Sequence, residues 1–258
     1  MSTIEVKGKK ISYQAPPGFE AGDRKGHTVL LIHGATDNHK IWYQQYEALS
    51  QDHTPVAVDL PGHFESEGPG IDNAQAYREF IEDFAQATRL APFVFCGHSM
   101  GGSMALDFAV HHPDLLQAAI MVGSSPSWDL SGEEIEQWGE DPDKVRREES
   151  DSMYSKQTPA HIKEWLNREM AGTPGQACLG DLLACGTFDP NPPFEEISTP
   201  VLVVVGDEDE MSIPGSRLVA AKVPKARFEM VSPSGHPIMI EQPERLNAIL
   251  VDFLKGLS

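Results

Sequence analysis

The chain has 258 residues, room for one large α/β domain or two small ones, and its 40% hydrophobic and 23% charged content is ordinary for a globular protein. Against 20 bases stand 39 acids, and the formal charge of −19 argues against a nucleic-acid backbone or an anionic lipid surface as partner. Cys96, Cys178 and Cys185 make neither a disulfide framework nor a zinc spacing, and no stretch approaches the roughly 20 apolar residues of a membrane span, so a reducing cytoplasm is the expectation.

In chain order, residues 3 to 14 of "MSTIEVKGKKISYQ" alternate polar and apolar, which predicts one antiparallel strand, and they lack the apolar core of a leader peptide. Continuous apolar runs follow: "TVLLIHG" from Thr28, "PVAVDLPG" from Pro55, "FVFCGHS" from Phe93, "AAIMVGS" from Ala118 and "PVLVVVGD" from Pro200. Runs without polar alternation suit strands covered on both faces, hence a parallel sheet. "ARFEMVS" from Ala226 is less apolar, as an outer strand would be. Between the runs, "IWYQQYEALS", "AQAYREFIEDFAQATRL" and "GGSMALDFAVHHP" carry helical spacing; Tyr77, Phe80, Ile81 and Phe84 fall three and four apart on one face. This alternation predicts an α/β fold with a doubly wound, mostly parallel sheet.

The alternation stops between residues 126 and 199, where helices follow one another without strands. Ser131, the Asp141-Pro142 pair and the Thr158-Pro159 pair mark their starts. A helical lid inserted after the sixth strand is expected at 126–199, laid over a core formed by 1–125 and 200–258.

Chemistry points first to "FCGHSMGGSMA", residues 95 to 105, which sets Ser99 between Gly97 and Gly101 where a strand run meets a helical stretch. That context gives a G-x-S-x-G match its meaning: a sharp elbow lifts the hydroxyl to the start of a helix, whose amides stabilise a nearby anion. The competing reading is a turn serine capping a helix. A serine needs a base. His236 follows the last strand run and so returns to the sheet edge of Ser99; His98 lies inside the elbow, and His111 and His112 end a helix. His33 and His63 lie at strand ends, where structural hydrogen bonding is expected. The base needs an acid to fix its tautomer. "GDEDEMSIP" offers four, with Asp207 and Asp209 both open and at least three of the run expected to be solvated.

Together "LLIHG" at 30–34, "VAVDLPGH" at 56–63, "GHSMGG" at 97–102, "PVLVVVGDEDEMSIP" at 200–214 and "SGHPIMIEQPERLNAILVDFL" at 234–254 resemble the α/β-hydrolase superfamily over nearly the whole chain, weakly in the lid. The resemblance implies Asp209, three residues after Gly206, as the acid, His236 as the base, and the backbone N–H groups of Ala35 and Met100 as an oxyanion hole. Phe64 stands where the family often has glycine, which implies an aromatic ring at the pocket rim. The expected activity is a carboxylesterase-like serine hydrolase of small-molecule esters, without metal or cofactor, acting as a monomer or homodimer. Trp42, Phe64, Trp128, Phe188, Met211, Ile238 and Met239 are candidate substrate-binding residues, with plain core as the alternative for each. Relatives with such a triad also cleave carbon–carbon bonds or lactones, or run cofactor-free perhydrolysis, and some receptors use the fold without turnover. A substrate carboxylate would want a cation; Arg146 and Arg147 read as partners of surrounding acids.

Overall fold

The computed structural model describes residues 1–257, the side chains of residues 149–151 excepted. The strands are β1 (Ser2–Val6), β2 (Lys9–Gln14), β3 (Thr28–Ile32), β4 (Thr54–Val58), β5 (Phe93–His98), β6 (Leu116–Val122), β7 (Val201–Gly206) and β8 (Arg227–Val231). They form one eight-stranded sheet in the order β1-β2-β4-β3-β5-β6-β7-β8, antiparallel from β1 to β4 and parallel from there to β8. The apolar runs are strands because both sheet faces are covered. Leu30, Ile32, Val56, Phe93 and Phe95 enter one core, while their neighbours Val29, Leu31, Ala57, Val94 and Cys96 enter the other. Each Val, Leu, Ile or Phe among them contributes about 1.5–3 kcal/mol on burial.

The N-terminal segment corrects the single strand expected there. Lys7 and Gly8 take φ of 48° and 77°, the left-handed pair of a tight hairpin, so residues 2–14 fold back into two strands. The hairpin's second strand, β2, then pairs with β4.

The helices are α1 (Tyr43–Leu49), α2 (Ala74–Thr88), α3 (Met100–His111), α4 (Gly132–Glu140), α5 (Pro142–Met153), α6 (Ala160–Glu169), α7 (Gly175–Cys185), α8 (Ile213–Lys222), α9 (Ile238–Glu241) and α10 (Pro243–Lys255). In α2 the expected face is realised: Tyr77, Phe80, Ile81 and Phe84 are all buried, Asn73 caps the start by accepting from the Ala76 N–H, and Arg89 ends the helix in the left-handed region. Helices α1 and α10 cover the opposite face through Leu49, Leu246, Leu250 and Leu254.

Four helices, α4 to α7, fill the connection between β6 and β7. Ser131 closes a capping box with Glu134, and Asp141 caps α5 with Pro142 in its first turn. Helix α6 starts one residue later than the Thr158-Pro159 pair suggested, because the Thr158 hydroxyl turns to Glu241 and Pro159 is left at the cap.

Strand β3 lies between β4 and β5, so the chain leaves it in opposite directions and the loops beyond β3 and β5 diverge from a common edge. Ligand sites of open α/β sheets form at such a switch point.

Candidate active site

Ser99 follows β5 with φ 52° and ψ −120°, outside the regions an L-residue adopts comfortably. The glycines around it are there for space. A Cβ on Gly97 would overlap the Gly101 carbonyl, and one on Gly101 would lie 2.6 Å from the Ile32 carbonyl oxygen. The serine is pinned by its backbone: its N–H donates to Val122 O at 3.0 Å, and its carbonyl accepts from Ser124 Oγ at 2.7 Å. The strain is therefore held by neighbours on β6 and after it.

The acidic loop after β7 and the histidine loop after β8 are laced together. Asp207 N–H donates to Val231 O, Glu208 N–H donates to Ser234 O, and Glu241 accepts from Ser234 Oγ and Gly235 N–H. This brings His236 Nδ1 to 2.9 Å from Asp209 Oδ2, with both side chains buried. Ser212 gives its N–H to Asp209 Oδ1 at 3.2 Å, and its hydroxyl oxygen lies 3.3 Å from the protonated His236 Nδ1. Burial pushes the His236 pKa down, but Asp209 outweighs it and the net shift is upward. Burial likewise opposes ionisation of Asp209, and His236 and Ser212 overcome it and hold the carboxyl below its usual range.

Each acid of the run has its own place. Asp209 faces His236, Asp207 is exposed and accepts the Ser234 N–H at 3.0 Å, Glu208 accepts from Ser155 Oγ and the Lys156 N–H, and Glu210 is exposed. Asp207 and Glu210 are exposed, as expected for a solvated turn, and Glu208 is half-buried; Asp207 and Glu208 also tie loops that are distant in sequence.

Met100 is the first residue of α3, and Ala35 lies just beyond β3. Neither N–H has an acceptor among the described residues. No hydrogen bond joins Ser99 Oγ to His236 in this state; catalytic contacts of unliganded sites are often long and tighten around substrate. The rings of His98 and His236 lie 4.6 Å apart, so the end of β5 and the His236 loop are in contact.

Of the other candidates, Trp128 stands next to His236, its ring perpendicular at 6.3 Å and its Nε1–H donated to Ser103 Oγ at 2.9 Å. Trp42, Ile238 and Met239 are wholly buried in the core layer of α1 and α10, and Phe188 is buried in the opposite layer. Met211 is exposed, as is Phe64, which carries Lys40 Nζ 4.5 Å above its ring. Phe64 keeps φ 46°, so the backbone holds the glycine-like conformation with an aromatic residue in it. A cleft of about 850 Å³ between α1, α6 and the start of α10 has none of Ser99, Asp209 or His236 on its wall.

A buried network escaped the sequence reading. Asp181 of α7 accepts from the Thr36 N–H at 2.7 Å, from His63 Nε2 at 2.9 Å and from the Tyr77 hydroxyl. His63 Nδ1 also faces the Pro61 carbonyl, so both ring nitrogens donate. Burial lowers the His63 pKa and Asp181 raises it, with a net rise. His33 is the opposite case: it accepts the Leu60 N–H on Nε2 and gives Nδ1–H to Gly34 O, and burial with His63 nearby keeps it neutral. Arg146 of α5 reaches the same loop, donating Nη2–H to Thr36 O at 2.8 Å and Nη1–H to Asp143 at 3.0 Å. It is thus more than the partner of a neighbouring acid. The one signal for Asp181 is an acid alone in the apolar stretch "ACLGDLLAC".

The model of the alpha/beta hydrolase family matches residues 29–249. The chain belongs to that family. A Bacillus subtilis (strain 168) protein named "Putative 2-succinyl-6-hydroxy-2,4-cyclohexadiene-1-carboxylate synthase" is 25% identical over 92% of this chain and 94% of its own length. The pimeloyl-[acyl-carrier protein] methyl ester esterase of Nitrosomonas europaea is 24% identical over 85% of this hydrolase and 92% of its own chain. In fold, the enol-lactonase of Burkholderia xenovorans LB400 superimposes with a TM-score of 0.89 at 20% identity, covering 99% of this chain and 100% of that one. A thermophilic esterase from Thermogutta terrifontis gives 0.85 at 23% identity, covering 100% and 99%.

Proposed function

We propose that this α/β-hydrolase is a serine esterase of small-molecule carboxylic esters working through an acyl-enzyme. The observation that carries the reading is the buried Asp209–His236 bond of 2.9 Å beside a serine held in a left-handed elbow. Ser99 Oγ attacks the acyl carbonyl as His236 Nε2 takes its proton. Asp209 keeps the other nitrogen protonated and stabilises the imidazolium. The developing oxyanion takes the free N–H groups of Ala35 and Met100, where loss of one such donor typically costs about 10²–10³ in rate. His236 returns the proton to the leaving alcohol, and water repeats the sequence to release the acid and restore Ser99. The route as written uses no metal or organic cofactor.

The helices α4 to α7 act as the lid in this reading, since Arg146 and Thr173 both donate to the Thr36 carbonyl beside the oxyanion loop and the Met153 carbonyl accepts the His236 N–H. Trp128 is the substrate-facing aromatic beside the base. No helix is long and apolar enough to cross a membrane. Action on small molecules in the cytoplasm, as a monomer or homodimer, belongs to the same proposal.

The experiment is hydrolysis of p-nitrophenyl butyrate by wild type and Ser99→Ala. The substitution should lower kcat by about 10⁴ or more. Equal rates would refute the nucleophile, and absence of burst and turnover in the wild type would favour a binding protein on this fold.

A further inference from the structure

Asp37 stands two residues beyond the Ala35 amide, and among the described residues nothing donates a hydrogen bond to its carboxylate. A Cβ built on Gly34 would lie 3.0 Å from Ser99 Cβ, 3.1 Å from His98 Nδ1 and 3.4 Å from Asp37 Oδ2. The serine side chain, an imidazole nitrogen and a carboxylate oxygen therefore border one gap slightly too tight for a methyl group.

The imidazole is in a fixed state. His98 Nε2 approaches the His236 carbonyl at 3.2 Å; a carbonyl only accepts, so Nε2 carries the hydrogen and Nδ1 presents a lone pair. That Nδ1 is buried without a partner, 3.9 Å from Asp37 Oδ2. Burial and the charge of His236 hold His98 well below its ordinary pKa, so it stays neutral. Two acceptors face each other with no donor between them.

Arg146 does not fill that gap. Its guanidinium is engaged by Thr36 O and Asp143 and lies over the Trp138 ring at 5.7 Å. No ion pair joins it to Asp37 among the described residues. Burial raises the Asp37 carboxyl to about 6. At pH 7.5 it is ionised and lacks a bonded partner, a state that a donor from a ligand relieves.

We propose that Asp37 is a specificity-determining residue that selects esters carrying an ammonium-type group a few bonds from the scissile carbonyl, its N–H donating to Asp37 Oδ2. The inference rests on the ester reading above and names its substrate class. The net charge of −19 acts in the same direction by steering cations toward the protein. A substrate carboxylate in that place meets a like charge.

The test compares wild type with Asp37→Asn by pH-stat titration on two sets of esters of similar shape. The acyl-side set is methyl butanoate, β-alanine methyl ester and monomethyl succinate: neutral, cationic and anionic. The alcohol-side set is 3-methylbutyl acetate and protonated 2-(dimethylamino)ethyl acetate, which has the same shape and carries one N–H. The readout is the ratio of kcat/KM between charged and neutral esters within one protein, so any loss of folded enzyme cancels. In at least one set, wild type should favour the cation by roughly tenfold or more, and Asp37→Asn should bring the ratio to within about threefold of unity. Asp37→Ser, which removes the amide donor that asparagine introduces, should do the same. The wild-type ratio should also rise from about pH 5 to about pH 8 as Asp37 ionises, and the variants should lose that rise. Arg146 of α5, His236, His63, Asp181 of α7 and His98 of β5 face Asp37 in every arm, and the titration of His236 as base cancels in the ratio. Cation ratios within about twofold of each other in wild type and both variants overturn the inference. Absence of turnover on every ester, neutral or charged, is a distinct result, which overturns the ester reading and this inference with it.

Discussion

Replacing Asp181 by asparagine exchanges one buried carboxylate oxygen for an amide nitrogen at the point where three donors meet: the Thr36 N–H, His63 Nε2–H and the Tyr77 hydroxyl. Asparagine has a single carbonyl oxygen, so at least one donor loses its acceptor, and the charge that holds the proton on His63 disappears. Removing one partner of a buried charged pair costs about 3–5 kcal/mol. That is a large part of the roughly 5–15 kcal/mol that separates folded from unfolded chains. With a urea slope of about 3 kcal/mol/M, the unfolding midpoint should fall by about 1 M or more. The loss depends on pH with a definite sign. The folded His63 pKa is raised above 6.5, so its pairing stabilises fully below 6.5 and fades as pH rises through the folded value. The penalty of Asp181→Asn is therefore largest in mild acid and smaller in alkali. Because Thr36 adjoins Ala35, kcat/KM on p-nitrophenyl butyrate should also fall, by about tenfold or more. Equilibrium urea unfolding at several pH values measures the first effect. A loss under about 1 kcal/mol, or one that does not vary with pH, would refute the reasoning.

In the proposed mechanism His236 must be neutral to accept a proton, and Asp209 outweighs burial to hold its pKa above 6.5. The acid limb of kcat/KM should thus rise through a value above 6.5, and a limb at or below 6.5 in a pH–rate profile would contradict this coupling. Asp209→Asn should lower kcat by about 10⁴ by leaving the imidazole in the wrong tautomer. Asp207→Asn, which keeps an amide oxygen for the Ser234 N–H and removes only an exposed charge, should lower it less than about tenfold. Steady-state kinetics of the two variants side by side decides between the acids.

The fold was legible because β3, β5, β6 and β7 are buried on both faces, which forces continuous apolar runs into the sequence, and because α2 must present Tyr77, Phe80, Ile81 and Phe84 to one core. The elbow was legible for a steric reason: only glycine fits at Gly97 and Gly101 beneath a serine at φ 52°. The hairpin was missed because the single-strand reading carries one polar–apolar alternation through "KGKK", although its four residues without an apolar side chain, one of them glycine, break the pattern where the chain turns.

Local physics in the sequence thus determined the strands, the helices and the position of a strained serine, since each depends on neighbours within a few residues. Which carboxylate meets His236 was decided only in three dimensions, because Asp207 and Asp209 differ by two places in one loop while their partners lie on another. The same holds for Asp181, Arg146 and Asp37. Their surroundings are assembled from α5, α7 and the loops beyond β3, β4 and β5, up to 145 residues apart, and burial and charge there are properties of the assembled site.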